Sequence, residues 1–330
     1  MSEDADVEAA RAKTRGVVRK VMIGTLAGGL VFVALGLYGD LAALRASFVA
    51  LDGRMFLAAL ALATANYGLR FLRWQLYLRR LDAPVPWRES LLVFLAGFVM
   101  SVTPGKLGEV LKSLLLYESR GISIARTAPV VFAERLTDLV ALVILTAIGS
   151  LSFPEGVPVA IGGAALASLF LLASAWRPLG ERLLAIAERL PLVGRAAPRL
   201  REAYESLHAL TRPRPLAAAT ALATVSWGLE CVALWLLCAA LPGSGLSWDA
   251  AVFAYSASTV VGALAMLPGG LGVTEASMTG LVEALSGGGI DAASASAATI
   301  LTRLATLWWA VAVGAVALAL SRRIEARRAR

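Results

Sequence analysis

Twelve ionisable side chains stand inside strongly apolar stretches of this sequence: Arg70, Arg73, Lys106, Glu109, Lys112, Glu134, Arg135, Asp138, Glu230, Glu275, Glu283 and Arg303. A charge at bilayer depth costs at least about 2.5–3.5 kcal/mol, so each needs a partner or a purpose. Glu134 and Asp138 are four apart on one helical face, where like charges repel. Arg135 is three from Asp138 and pairs with it; a second cation, from Lys106, Lys112 or Arg303, is wanted for Glu134. Arginine presents a planar fork that matches phosphate oxygens. Two readings of the cluster stay open: ion pairs that lock a bundle, or a site for a charged head group. Arg70 and Arg73, at the end of their span, either snorkel to lipid phosphates or line the access route to such a site. Glu109 and Glu275 are expected to pair with the arginines when no substrate is present, or to carry a coupling proton.

Two loops position these charges. Pro104-Gly105-Lys106-Leu107-Gly108-Glu109 returns 164 residues later as Pro268-Gly269-Gly270-Leu271-Gly272-Val273, and both copies interrupt apolar segments. Proline and glycine continue a helix poorly. Pro104, Gly105, Gly108, Pro268, Gly269, Gly270 and Gly272 are therefore the expected hinges of two gates. Paired broken segments at matching places of two halves mark the binding site of many transporters. Arg135 and Arg303 fall roughly 12–13 Å into their spans from opposite faces, level with the expected tips. Amides at the helix N-termini add a field that favours anions.

Other chemistries lack their parts. The one histidine, His208, lies in a polar stretch, and Cys231 and Cys238 share one apolar run, so no metal centre or histidine-based triad is expected. The glycine loops lack the GxxxxGK[ST] spacing of a nucleotide phosphate loop and any strand before it. No cofactor is expected, and a head-group enzyme would need a nucleophile–base pair that the sequence does not offer.

The surrounding chain is a membrane protein. Of 330 residues, 58% are hydrophobic and 16% charged, with a mean hydropathy of +0.73; a soluble domain carries about 25% charged residues. The expected fold is an all-α polytopic membrane protein with six full transmembrane helices and two re-entrant hairpins. The spans fall at about 21–39, 55–78, 127–150, 157–176, 216–241 and 294–320, and the broken segments at 89–117 and 249–285. Residues 1–20 form a basic tail, and 21–330 a single integral domain: an extra span at 21–39, repeat one at 55–150, a span at 157–176, a basic amphipathic loop at 177–215, repeat two at 216–320 and a basic tail at 321–330. The net charge of +8 concentrates beside spans, which the positive-inside rule explains more simply than nucleic-acid binding. Both termini and the middle loop are then cytoplasmic, provided each broken segment enters and leaves on one side. The first hairpin dips in from the cytoplasm and the second from outside.

Further matches support an inverted-topology repeat. Asn66-Tyr67-Gly68-Leu69 matches Ser226-Trp227-Gly228-Leu229, Trp87-Arg88-Glu89 matches Trp248-Asp249-Ala250, and Arg135-Leu136-Thr137-Asp138-Leu139 matches Arg303-Leu304-Ala305-Thr306-Leu307.

The ordered set of Arg70, Arg73-Trp74, the loop 104–109, Glu134-Arg135 with Asp138, Leu267 to Gly272 with Glu275, and Arg303 resembles the transmembrane region of lysylphosphatidylglycerol synthases, also called UPF0104 membrane proteins. The resemblance covers about 55–320. It implies a flippase, since in the bifunctional synthase/flippase this region moves the lipid and a cytoplasmic aminoacyltransferase domain follows it. Here the chain stops ten residues after the last span, so the synthase, and with it aminoacyl-tRNA chemistry, is expected to be absent. The expectation is a flippase or transporter, not an enzyme, for an anionic phospholipid or lipid-linked precursor in a bacterial or archaeal cytoplasmic membrane. The phosphate is expected among Arg135, Arg303 and Lys106, with Arg70, Arg73, Glu109, Lys112, Glu134, Asp138 and Glu275 around it. Expected partners are membrane lipids, a second copy of the chain or a lipid-modifying enzyme. The alternative is a non-transporting accessory protein that binds lipid or a partner glycosyltransferase.

Overall fold

The computed structural model describes residues 30, 45–47, 49, 52–103, 107–153, 156–175, 177–178, 181–182, 184, 186, 197–241 and 245–328. The span expected at 21–39, apart from Leu30, the tail 1–20 and the loop residues Pro104, Gly105 and Lys106 lie outside these. Among the described residues all regular structure is helical. The helices are α1 (Gly53–Arg80), α2 (Trp87–Gly97), α3 (Leu111–Arg120), α4 (Ile124–Ser150), α5 (Val157–Ala175), α6 (Ala197–Leu210), α7 (Pro213–Ala239), α8 (Trp248–Leu264), α9 (Val273–Leu285), α10 (Ala292–Arg303) and α11 (Trp309–Arg328). By length and composition, three stretches can cross a membrane: α1, α7 and the continuous Ala292–Ile324.

Local chemistry sets the helix ends. Asp52, Ser247 and Asp291 cap α1, α8 and α10 by accepting from Arg54 N, Ala250 N and Ser294 N; each satisfies an amide that the first turn leaves without an intrahelical partner. Pro213 starts α7, where its missing N–H costs nothing. Gly121, at φ 67°, ends α3 in the left-handed region.

Both broken segments fold back on themselves. In the first, Glu89 at the start of α2 pairs with Arg120 at the end of α3, and Gly97 at the end of α2 lies against Lys112 at the start of α3. In the second, Gly262 near the end of α8 lies against Thr274 at the start of α9. Trp87 and Trp248 begin the two leading limbs. At the second break, Gly269, Gly270 and Gly272 adopt φ of 63°, 70° and 86°, which glycine alone adopts without strain. The two breaks meet: Gly269 packs beside Ser101 and Val102.

The halves interlock. Along α1, Ala59 clusters with Ala233 and Leu237 of α7, while Asn66 meets Ser226 and Glu230, so α1 and α7 run antiparallel. Asn66 and Ser226 occupy matching places of the repeat and bond directly to each other. Tyr67 donates to the Thr306 carbonyl (3.1 Å), and Trp227, its counterpart, donates to Asp138 (3.0 Å), the counterpart of Thr306. The leading limb of each hairpin packs on the last helix of the other half, α2 on α11 and α8 on α4. Two glycines allow that approach. A methyl group at Gly149 would stand 2.6 Å from Phe253 N, and one at Gly314 would collide with the Phe98–Val99 peptide.

One detail departs from the sequence reading. The last span is interrupted at Leu304–Trp308 by a π-turn, directly after Arg303. In the described part of the basic loop, α6 packs on α4, with Ser123 donating to Glu202 (2.8 Å) and Leu210 buried.

Gly149→Ala and Gly314→Ala should each lower unfolding stability in detergent by about 1–3 kcal/mol through overpacking. Gly228→Ala, with nothing within 4 Å of the added methyl, should be neutral or stabilising by up to about 1 kcal/mol. Equal behaviour of all three would contradict the interlocked packing.

Candidate functional site

The first charge cluster is built where α3, α4 and α1 converge behind hairpin one. Lys112 lies 2.6 Å from Glu134 Oε2 and 3.5 Å from Glu109 Oε2, its ammonium 4.8 Å from the Trp74 ring centre. The bare backbone at Gly97 makes room for the lysine stem. Of the cations that the sequence offered for Glu134, Lys112 pairs with it and Arg303 does not, while Lys106 lies outside the described residues. Arg73 donates to Asp138 (2.7 Å) and Thr137 (3.1 Å) and is 1% exposed. That overturns the snorkelling role: Arg73 points into the bundle because Asp138 neutralises it there. Arg135 reaches Asp138 at 3.2 Å, as its spacing predicted, and Glu109 at 3.4 Å.

The second cluster is smaller. Arg303 Nε donates to Glu275 (2.5 Å) and its Nη2 to the Gly269 carbonyl (2.7 Å), tying the last span to the tip of hairpin two. The other Glu275 oxygen accepts from Gly272 N (2.7 Å). The anion-favouring start of α9 is therefore occupied by the protein's own carboxylate, a correction to the expectation of an open helix terminus. Arg135–Glu109 and Arg303–Glu275 are nearly matching pairs of the two halves, an arginine of the last span and the glutamate after the break.

A cavity of about 510 Å³ lies between the clusters. Among the described residues its charged lining is Arg70, Arg135, Asp138, Glu230 and Arg303. Ser101 and Thr103 border it from the first break, and Gly269 and Gly270 from the second. Arg73, Lys112, Glu109, Glu134 and Glu275 are outside the lining and brace the residues within it. Gly108 sits in a short turn, Leu107–Val110, that leads into α3; Pro268 lies in the second break. Lys106, Pro104 and Gly105 are outside the described residues.

Sequence reasoning passed over the aromatic part of the lining and the amide of Asn66 behind it. Tyr67, Trp227 and Tyr255 border the cavity, and Glu230, 6% exposed, accepts from Asn66 Nδ2 and the Tyr255 hydroxyl. The signal was present. Glu230 was an intramembrane charge without an assigned role, and it stands where the other copy has Arg70.

Comparison with known proteins places the chain in a family of membrane proteins. The model of the family "Lysylphosphatidylglycerol synthase TM region" matches residues 21–314, and the chain belongs to that family of membrane proteins. A protein of Methanothermobacter thermautotrophicus described as "UPF0104 membrane protein" is 27% identical over 293 residues, 83% of this chain and 85% of its own length. A UPF0104 membrane protein of Methanocaldococcus jannaschii is 27% identical over 224 residues, covering 66% of this chain and 92% of the relative.

Removing one member of the Lys112–Glu134 pair leaves a buried charge uncompensated. Lys112→Met and Glu134→Gln should each cost about 3–5 kcal/mol of stability, while Lys112→Met with Glu134→Met should recover most of the loss. Additive losses in the double variant, measured by denaturant unfolding, would contradict the pairing.

Proposed function

We propose that the protein moves a phosphate-bearing membrane lipid across the cytoplasmic membrane of a bacterium or archaeon. The observation that carries this reading is the cavity itself, lined by three arginines and bordered by both helix breaks. Its volume of about 510 Å³ suits a head group, and its arginines suit a phosphate.

The transport reading draws on the repeat. Limbs of 11 and 10 residues in hairpin one, and 17 and 13 in hairpin two, are short for a core of about 30 Å that needs ~20 residues. Such limbs suit re-entrant hairpins, and non-helical backbone at their tips is tolerated where it lines a watery cavity. The antiparallel α1 and α7, with matching residues in contact, support an inverted repeat. In this reading hairpin one gates from the cytoplasm and hairpin two from outside, with six full spans and both termini cytoplasmic by the positive-inside rule. Opening one hairpin while the other stays closed exposes the same arginines to each leaflet in turn. Arg303, bonded at once to Glu275 and to the Gly269 carbonyl, is the latch of the second gate. A lipid phosphate that takes over one of those bonds loosens it.

The test is reconstitution with fluorescent phosphatidylglycerol and measurement of transbilayer movement. Wild-type protein should accelerate movement, and Arg303→Gln or Arg135→Gln should slow it by about tenfold or more, the loss of a charge-assisted bond. Well-inserted protein that binds lipid and accelerates no phospholipid or lipid-linked precursor would favour the non-transporting accessory reading.

A further inference from the structure

Two carboxylates line the cavity among the described residues, Asp138 and Glu230. Glu230 is 6% exposed and stands where the other half has Arg70. The carboxylates of the two charge clusters bond cations: Glu109 and Glu134 meet Lys112 at 3.5 and 2.6 Å, Asp138 meets Arg73 at 2.7 Å, and Glu275 meets Arg303 at 2.5 Å. A proton on any of these would leave a buried cation uncompensated, which is costly. That counts against Glu109 and Glu275 as carriers of a coupling proton.

Glu230 is held in a different way. Its Oε1 accepts from Asn66 Nδ2 and its Oε2 from the Tyr255 hydroxyl. The Asn66 carbonyl is turned away and accepts from Ser226. Both bonds aim hydrogen at the carboxylate, which suits a proton and not a metal cation, whose ligands are oxygen lone pairs. The same partners serve the acid form. The amide goes on donating to the carbonyl oxygen, and the hydroxyl, donor and acceptor at once, turns to accept from the acid O–H. The helices packed on α7 bring further titratable and charged groups to the same space. These are Tyr67 and Arg70 from α1, Arg135 and Asp138 from α4, Tyr255 from α8 and Arg303 from α10. Cys231 adjoins Glu230 on α7 itself.

We propose that Glu230 binds the proton that couples transport to a proton gradient, and that it takes this proton together with the substrate anion. The inference rests on the lipid reading above and adds its coupling ion. In the empty cavity the ionised Glu230 balances charge on the arginines that share the lining. A bound anion takes over that balance. Two negative charges in one desolvated space repel, and the strain is relieved when Glu230 takes a proton from the water of the open cavity. Linkage runs both ways, so a proton on Glu230 strengthens anion binding by the factor with which the anion strengthens proton binding. Tyr255 lies on α8, the leading limb of hairpin two, so the turn of its hydroxyl carries the protonation state of Glu230 to the second gate.

Proton uptake on binding tests this apart from transport. The detergent-solubilised full chain is titrated calorimetrically with phosphatidylglycerol, whose phosphodiester stays ionised throughout, in buffers of different ionisation enthalpy. Wild type should take up about one proton per bound lipid, and its affinity should fall about tenfold as the pH rises from about 5 to about 8. Glu230→Gln, which imitates the acid form, should bind with no uptake and a flat pH profile. Glu230→Asp should restore uptake, which a purely structural bond would not require. Exposed Glu205→Gln, on α6, should behave as wild type. In reconstituted vesicles, an imposed pH gradient should bias lipid movement toward the less acidic side for wild type and leave Glu230→Gln unbiased. Lipid binding without proton uptake would overturn this inference and leave the lipid reading standing, whereas no binding at all would remove both. Uptake that persists in Glu230→Gln would overturn the residue, and wild-type movement indifferent to the gradient would overturn the coupling. If Glu230→Gln does not fold, infrared difference spectra decide: lipid should bring up a carboxylic-acid band in wild type that shifts in Glu230→Asp. No band, or one that does not shift, would overturn the assignment.

Discussion

An ionised group among apolar helices must be neutralised where it stands. Lys112, Arg73, Glu109, Glu134 and Glu275 are each nearly or fully buried, and the ion pairs between them and their neighbours decide how the helices meet. Lys112 joins hairpin one to α4, Arg73 joins α1 to α4, and Arg303 joins the last span to hairpin two. Removing either partner is costly, yet exchanging both for apolar residues is often neutral or stabilising. Stability alone therefore gives no reason to keep so many. The pairs hold a cavity open to charge.

The two helix breaks follow from the same constraint. A continuous helix satisfies its own backbone and offers a ligand only side chains. Breaking it at glycines with positive φ turns the Gly269 carbonyl toward Arg303 and Gly272 N toward Glu275. Interlocking then fixes the breaks in space. Each hairpin leans on the last helix of the other half, and Gly149 and Gly314 let the backbones touch. In the proposed mechanism, a movement of one hairpin would be felt by the arginine of the opposite repeat. That is the coupling an alternating mechanism needs.

Much of this was legible in the residues. Charge in an apolar run is rare enough to be a signal, and it picked out Arg70, Arg135, Asp138 and Arg303, all in the cavity lining. The i,i+3 spacing gave the Arg135–Asp138 contact. The Pro-Gly strings gave both breaks, and the matched motifs gave residues that meet across the interface. What stayed hidden depends on tertiary distance. Local spacing cannot say that Lys112, and not Arg303, reaches Glu134, nor that Arg73 turns inward toward Asp138. Aromatic lining residues such as Tyr67 and Trp227, and Asn66 behind Glu230, look like ordinary core in a one-dimensional reading. Glu275 filling the start of α9 was hidden too, because a capping side chain and a ligand-binding residue have the same sequence signature.

The central claim is that one set of cavity charges is reached from both leaflets. It is tested most directly by placing a single cysteine at Thr259, which lines the cavity, with Cys231 and Cys238 replaced by alanine. Labelling by a membrane-impermeant maleimide is then followed in right-side-out and inside-out vesicles. Labelling from both sides, slowed by phosphatidylglycerol, is the predicted result. Labelling from one side alone, unchanged by lipid, would contradict it.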